Sequence, residues 1–203
     1  MDENVLAAMA RWPNVPDVFG WLSLTESGQW RLYPRGDALD PDPGPGEAIS
    51  SPPILRFIGR NYAADAAGQW FFQNGPQRVY VRLDAAPYVL HTEDDAEGRT
   101  RLLTHTGLPV NTPEGWWLGD DGRLYAQTEH GAALVAGRDL ECVLSLLRAP
   151  DGKTALEQLE VASGDAFPVE WPGPAPTSAQ LRFCPASALA STLGFVARPQ
   201  AAR

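Results

Sequence analysis

Apolar and polar positions along the chain change period several times, and each change marks an element. Val5, Leu6, Met9 and Trp12 recur at helical spacing, and Trp-Pro-Asn-Val-Pro over 12–16 then stops the pattern, which predicts a short N-terminal helix. Residues 20–24 and 30–33 alternate apolar with polar around Glu26-Ser27-Gly28, a β-hairpin with glycine in its turn. Residues 37–46 carry several prolines and almost nothing to bury, so they read as a solvated loop. Ser51-Pro52 has the form of a helix start, and Ile54, Leu55, Ile58 and Tyr62 share a face, predicting a helix from Pro52 to about Asn61.

Beyond it, Val79, Val81 and Leu83 line one face of a strand and Arg78, Tyr80 and Arg82 the other. Residues 88–92 and 99–105 flank an acidic, glycine-ended segment at 93–98, a further hairpin with a longer loop. Residues 116–118 and 124–126 surround Asp120-Asp121-Gly122, which reads as an Asp-Gly hairpin turn. Asp139 can cap a helix carrying Leu140, Val143, Leu144 and Leu147. Residues 171–176 read as a linker or exposed loop, followed by a strand through Leu181 and Phe183 and a helical turn or two after Pro185.

Three of these hairpins look like copies of one unit. Residues 21–30, 62–70 and 116–124 each run from an aromatic through a turn glycine (Gly28, Gly68, Gly122) to Trp or Leu, and Gly36, Gly75 and Gly131 follow within ten residues. The unequal spacing of the turn glycines, 40 and then 54 residues, suits an embellished duplication better than a solenoid or propeller. Trp21, Trp30, Trp70 and Trp117 are expected as core partners across the strands. The expected fold class is α+β: repeated β-hairpins forming twisted antiparallel sheets with a few covering helices. It is arranged either as one domain or as two subdomains. Asn111-Thr112-Pro113 places the boundary between 1–112, with two hairpin repeats and a helix, and 113–203, with the third.

Composition narrows the partners. Apolar residues at 44% and charged ones at 20% exclude a disordered chain, and 16 basic against 25 acidic side chains give −9, the wrong sign for following a phosphate backbone. No nucleic acid and no membrane partner is expected. The acidic start lacks a secretory signal, so a cytoplasmic location is expected, and the oligomeric state is not legible. Cys142 and Cys184 form no C-x-x-C pair and read as two small buried side chains.

The chemistry is sparse. Among His91, His105 and His130 there is no metal-ligand spacing, and nucleophile-elbow, P-loop and dinucleotide motifs are absent, so no metal or cofactor is expected. The segment Gln73-Asn74-Gly75-Pro76-Gln77-Arg78 is the densest polar stretch between apolar strands; its amides and guanidinium can hold a carboxylate or phosphate, or simply make the turn. Arg60 and Asn61 precede the same hairpin, and His105, followed closely by Gly107, falls at a strand end. These features predict a non-catalytic sensing or adaptor module. It would bind a small anionic ligand or a protein in a cleft between the halves, through Arg60, Asn74, Gln77, Arg78 and His105. The alternative is a hydrolase with His105 as general base near Asp84 or Glu129.

Trp-Pro-Asn-Val-Pro at 12–16, Gly-Trp-Leu-Ser-Leu at 20–24, Phe-Phe-Gln-Asn-Gly-Pro-Gln-Arg-Val at 71–79, Thr-His-Thr-Gly at 104–107 and Arg-Asp-Leu-Glu at 138–141 resemble an uncharacterised proteobacterial family without an assigned function. Gly-Gln-Trp-Arg-Leu at 28–32, the Pro-Ile-Leu-Arg-Phe-Ile helix at 53–58, Gly-Gln-Trp-Phe-Phe at 68–72 and Val-Tyr-Val-Arg-Leu-Asp-Ala-Ala-Pro-Tyr at 79–88 are similar, more distantly, to a second bacterial family. That resemblance implies an α+β fold with repeated β-rich motifs, two subdomains and a signalling or ligand-sensing role. The chain departs from the second family's Thr-Pro segment, having Gln73-Asn74-Gly75-Pro76 instead.

Overall fold

The computed structural model describes residues 1–160, 164–172 and 177–201. Of the expected loop at 171–176, residues 173–176 lie outside the described residues. The chain forms two compact units, one from Met1 to Ala86 with the segment returning from Gly194, the other from Pro87 to Leu193.

The first unit contains α1 (Glu3–Arg11), β1 (Val18–Leu24), β2 (Trp30–Leu32), β3 (Glu47–Ala48), α2 (Pro52–Arg60), β4 (Tyr62–Ala64), β5 (Trp70–Asn74) and β6 (Gln77–Leu83). Its sheet has the order β3-β2-β1-β6-β5-β4. The second unit contains β7 (Tyr88–Asp94), β8 (Thr100–Thr104), β9 (Pro109–Val110), β10 (Gly115–Gly119), β11 (Leu124–Thr128), β12 (Gly131–Val135), α3 (Leu140–Leu146), α4 (Ala155–Leu159), β13 (Phe167–Trp171), β14 (Thr177–Cys184) and α5 (Ala186–Thr192). Its sheet runs β13-β14-β10-β11-β12-β7-β8-β9.

The two sheets repeat one plan. In each, two antiparallel three-strand meanders meet at a parallel seam between the first strand of one and the last strand of the next: β1 beside β6, and β7 beside β12. The second sheet adds β14 and β13 through another parallel pair, β10 with β14. The sheets are therefore mixed, not antiparallel as the hairpins alone suggested. The seam at Tyr88–Leu90 against Ala133–Val135 also commits β7 to the second unit, so the unit boundary falls at Ala86 and not at 112.

The repeat resides in the turns. Five residues separate the paired ends Leu24 and Trp30, Ala64 and Trp70, Asp94 and Thr100, Leu103 and Pro109, Leu118 and Leu124, and Arg148 and Thr154. In each connection the first N–H donates to the fifth carbonyl and the fourth residue, a glycine at positive φ, donates back to the first carbonyl. A left-handed fourth position is what glycine alone adopts without strain. The fifth N–H gains a side-chain acceptor every time: Thr25, Asp65, Asp95 and Thr104 from the first position, and Asp121 and Asp151 from the third where the first residue is Gly119 or Ala149. Asp120-Asp121-Gly122 is thus part of a five-residue connection, not a two-residue Asp-Gly turn. Asp65 does most, accepting from Ala67 and Gln69 N–H at 2.9 Å each and from the Tyr80 hydroxyl at 3.0 Å. Asp65→Ala should cost about 1–2 kcal/mol in urea unfolding, against a few tenths for the exposed Asp151→Ala.

Trp30 and Trp70 enter the core as expected, with Tyr62 between them at ring distances of 5.1 and 4.8 Å. Trp116 and Trp171, both fully buried with ring centroids 6.2 Å apart, are core tryptophans of the second unit. Trp21 and Trp117 are corrections: Trp21 is 43% exposed, and Trp117 is half-buried under the Arg182 guanidinium. Cys142 is exposed because Val143, Leu144 and Leu147 supply the buried side of its helix, whereas Cys184 is buried.

Candidate functional site

Strand β6 presents Val81 and Leu83 to a dry core on one face, as its alternation dictates. Its other face is also covered: Tyr80 stacks on Phe19 with centroids 4.5 Å apart, and Arg82 bonds Asp84, Ala38 O and the Tyr33 hydroxyl. Two concavities open at the β5–β6 end of this sheet, one on each side of the hairpin.

The polar one has a volume of about 670 Å³ and lies between the 12–17 loop and the hairpin. Asn14, Asp17, Gln73 and Arg78 bring its polar groups. The Arg78 guanidinium sits 4.7 Å over the Phe71 ring and forms no ion pair with a carboxylate among the described residues. Gln73 is 1% exposed; its Nε2 donates to Gly75 O at 2.9 Å, while its buried Oε1 has no hydrogen-bond partner. A donor and an unsatisfied acceptor therefore share one small space. Leaving such an acceptor unmet costs about 1–3 kcal/mol.

The apolar concavity, about 570 Å³, lies against α2 and includes Trp21, Leu32, Ile54 and Phe72, with Asn74 and Gln77 at the hairpin tip. Gln77 also donates from Nε2 to Pro16 O at 3.1 Å, which fixes the loop lining the polar side.

The five residues singled out from sequence are not gathered in one place. Asn74 and Gln77 line the apolar concavity and Arg78 the polar one. Arg60 is engaged elsewhere, its Nε 3.0 Å from Oδ1 and its Nη2 3.0 Å from Oδ2 of Asp2, and this bond holds the Asp2 carboxyl below its usual range. Asn61 accepts from the Asp2 N–H and donates to Phe57 O, so the pair fastens the N-terminus to the end of α2. His105 belongs to the second unit.

His105 is built into the backbone there. Its N–H donates to Val89 O at 2.7 Å and its Nδ1 accepts from Val89 N–H at 3.3 Å, with the Tyr88 ring 5.8 Å away. Burial of the ring nitrogens, with a smaller contribution from His91, lowers its pKa to about 3. A base that weak takes up little proton at neutral pH. Glu129 is equally occupied, accepting from Asn111 and Thr112 N–H, which keeps its carboxyl below the usual range against the opposing effect of burial. Asp84 pairs with Arg82 in the first unit. The geometry gives the general-base reading no support.

Among the described residues no cluster of three or more His, Cys, Asp or Glu side chains could hold a metal ion, and no helix is long and apolar enough to cross a membrane. Asn14 and Asp17 are not legible as site residues from the sequence, because Trp-Pro-Asn-Val-Pro-Asp has no period from which to place a side chain. Its proline density, which rigidifies a loop, was the available signal.

Among curated proteins, none matches this chain. Its fold is similar to that of a DUF1285 family protein from Silicibacter pomeroyi DSS-3, with 16% identity and a TM-score of 0.48 over 79% of this chain and 100% of that one. It is also similar to a DUF1285 family protein from Shewanella baltica OS155, with 14% identity and a TM-score of 0.41 over 59% and 87%. A family model described as "Protein of unknown function (DUF2946)" matches residues 1–200, and the chain belongs to that family, DUF2944.

Proposed function

We propose that this protein is a non-catalytic sensing module that recognises a small ligand carrying a carboxylate or similar anion, and that the polar concavity of the first unit is its site. The observation that carries this reading is Arg78, a half-buried cation without a carboxylate partner among the described residues, beside the buried and unmet Gln73 Oε1. The guanidinium takes the anion; Gln73 Oε1 and the Asp17 carboxylate accept from an N–H on the same ligand. Such a ligand has an amino or amide group close to its acid, as an α-amino acid does. Phe71 beneath the guanidinium and the Gln77 bond to Pro16 hold the site in shape before binding.

Thermal-shift and calorimetric titration with α-amino acids, dicarboxylates and inorganic phosphate tests the reading. At least one carboxylate-bearing compound is expected to raise the melting temperature, with affinity falling at least tenfold in Arg78→Gln and several-fold in Gln73→Leu. If none of the three classes binds, or if Arg78→Gln binds as tightly as the parent protein, the assignment is overturned.

A further inference from the structure

The apolar concavity on the other side of the hairpin is a second candidate site of different chemistry. Its volume of about 570 Å³ falls within the range of small-molecule sites. Three large apolar side chains that a monomer would ordinarily bury, Trp21, Leu32 and Ile54, stand 43%, 38% and 50% exposed along it. Scattered, they would carry no message; gathered around one hollow, they describe something meant to be covered. None of the side chains lining the hollow is ionisable. Its polar side-chain groups are the Trp21 indole N–H and two amides, Asn74 and Gln77; the amides face each other across the β5–β6 turn and so lie together at one end. Gln77 uses Nε2 on Pro16 O, leaving Oε1 to accept, and the Asn74 side chain has no protein hydrogen-bond partner among the described residues.

We infer that this groove binds an uncharged amphiphile, a hydrocarbon chain ending in a neutral hydroxyl or amide head, with the chain against Trp21, Leu32, Ile54 and Phe72 and the head at Asn74 and Gln77. A carboxylate head is disfavoured by the same chemistry, since no cation lines the hollow and Gln77, its Nε2 held by Pro16 O, turns an oxygen toward the head. The chain gains in proportion to the apolar area it covers.

Sub-micellar 1-dodecanol and dodecanoate, titrated against the full chain and followed by tryptophan fluorescence, test the inference. Dodecanol is expected to bind saturably with a blue shift that Trp21→Phe removes, and at least tenfold more tightly than dodecanoate. Ile54→Glu, at an exposed position that leaves the fold intact by circular dichroism, should weaken it at least tenfold. Arg78→Gln should leave it unchanged, which separates this groove from the polar site whatever the fate of that assignment. The inference is overturned if dodecanol fails to bind, if dodecanoate binds as tightly, or if Ile54→Glu has no effect. It is likewise overturned if sedimentation shows a dimer that Ile54→Glu dissociates, which would make the groove a face for a second copy.

Discussion

Gly20→Ala should destabilise the first unit by upward of about 3 kcal/mol in chemical denaturation, more than any surface substitution in the protein. Gly20 sits at φ +80° where β1 slips its register against β6 between Val18 and Leu22, and a β-carbon there would drive into the carbonyl oxygen of Gly36. Both groups are backbone, and both are fixed: Gly20 O accepts from Ala38 N–H at 2.9 Å, and Gly36 N–H donates to Tyr33 O at 2.9 Å. No rotamer change relieves the overlap. The comparison is Gly122→Ala, at φ +77° with nothing within 4 Å of the added carbon, where only the left-handed conformation is penalised, by about 1–2 kcal/mol. Equal losses in the two variants would mean that the approach to Gly36 relaxes freely.

Lowering the pH from 7 to 5 should remove about 2 kcal/mol from the second unit, and His105→Asn should abolish most of that slope. In the unfolded chain the imidazole has an ordinary pKa of 6.5; folded, it stays neutral until about pH 3 because its nitrogens are shielded. Between those values the unfolded chain binds a proton that the folded chain refuses, so acid favours unfolding. The contribution is complete above about pH 6.5, falls by about 1.4 kcal/mol per pH unit below it, and levels off near pH 3. Carboxylates held low by hydrogen bonds, such as Glu129, add their own loss only in the more acid part of that range. Asparagine can still accept the Val89 N–H, so the variant separates titration from the lost bond. An unchanged slope between pH 7 and pH 5 in His105→Asn would show that the ring is accessible to protons in the folded state.

The sequence disclosed the elements better than their arrangement. The helices at 3–11 and 52–60, the irregular stretch over 37–46, whose Ala38 is buried rather than solvated, and the hairpins around Gly28, Gly68, Gly98 and Gly122 follow from local periodicity and turn chemistry. The glycine pairs 28 and 36, 68 and 75, and 122 and 131 do mark the two turns of a meander. A fourth pair, 98 and 107, belongs with them but was hidden, because an acidic turn and Thr100 stand where the other copies have Trp or Leu. The parallel seams left no local trace. Val18 beside Val79 and Tyr88 beside Ala133 are encounters between distant residues, and nothing in either neighbourhood names its partner. The same limit scattered the proposed site: Asn74, Gln77 and Arg78 are adjacent in sequence, yet strand alternation sends Gln77 and Arg78 to opposite sides of the sheet.

Those seams also set the order in which the chain can be assembled. Each meander closes through connections of a few residues, whereas bringing Val18 to Val79 closes a loop of about sixty, at an added entropic cost of about 2 kcal/mol over a five-residue closure. Finished meanders shorten the chain that remains to be closed, so the seam becomes affordable once its flanking strands exist. The joining of β1 to β6, and of β7 to β12, is therefore the step expected to be slow in folding, since both seams pair strands distant in sequence.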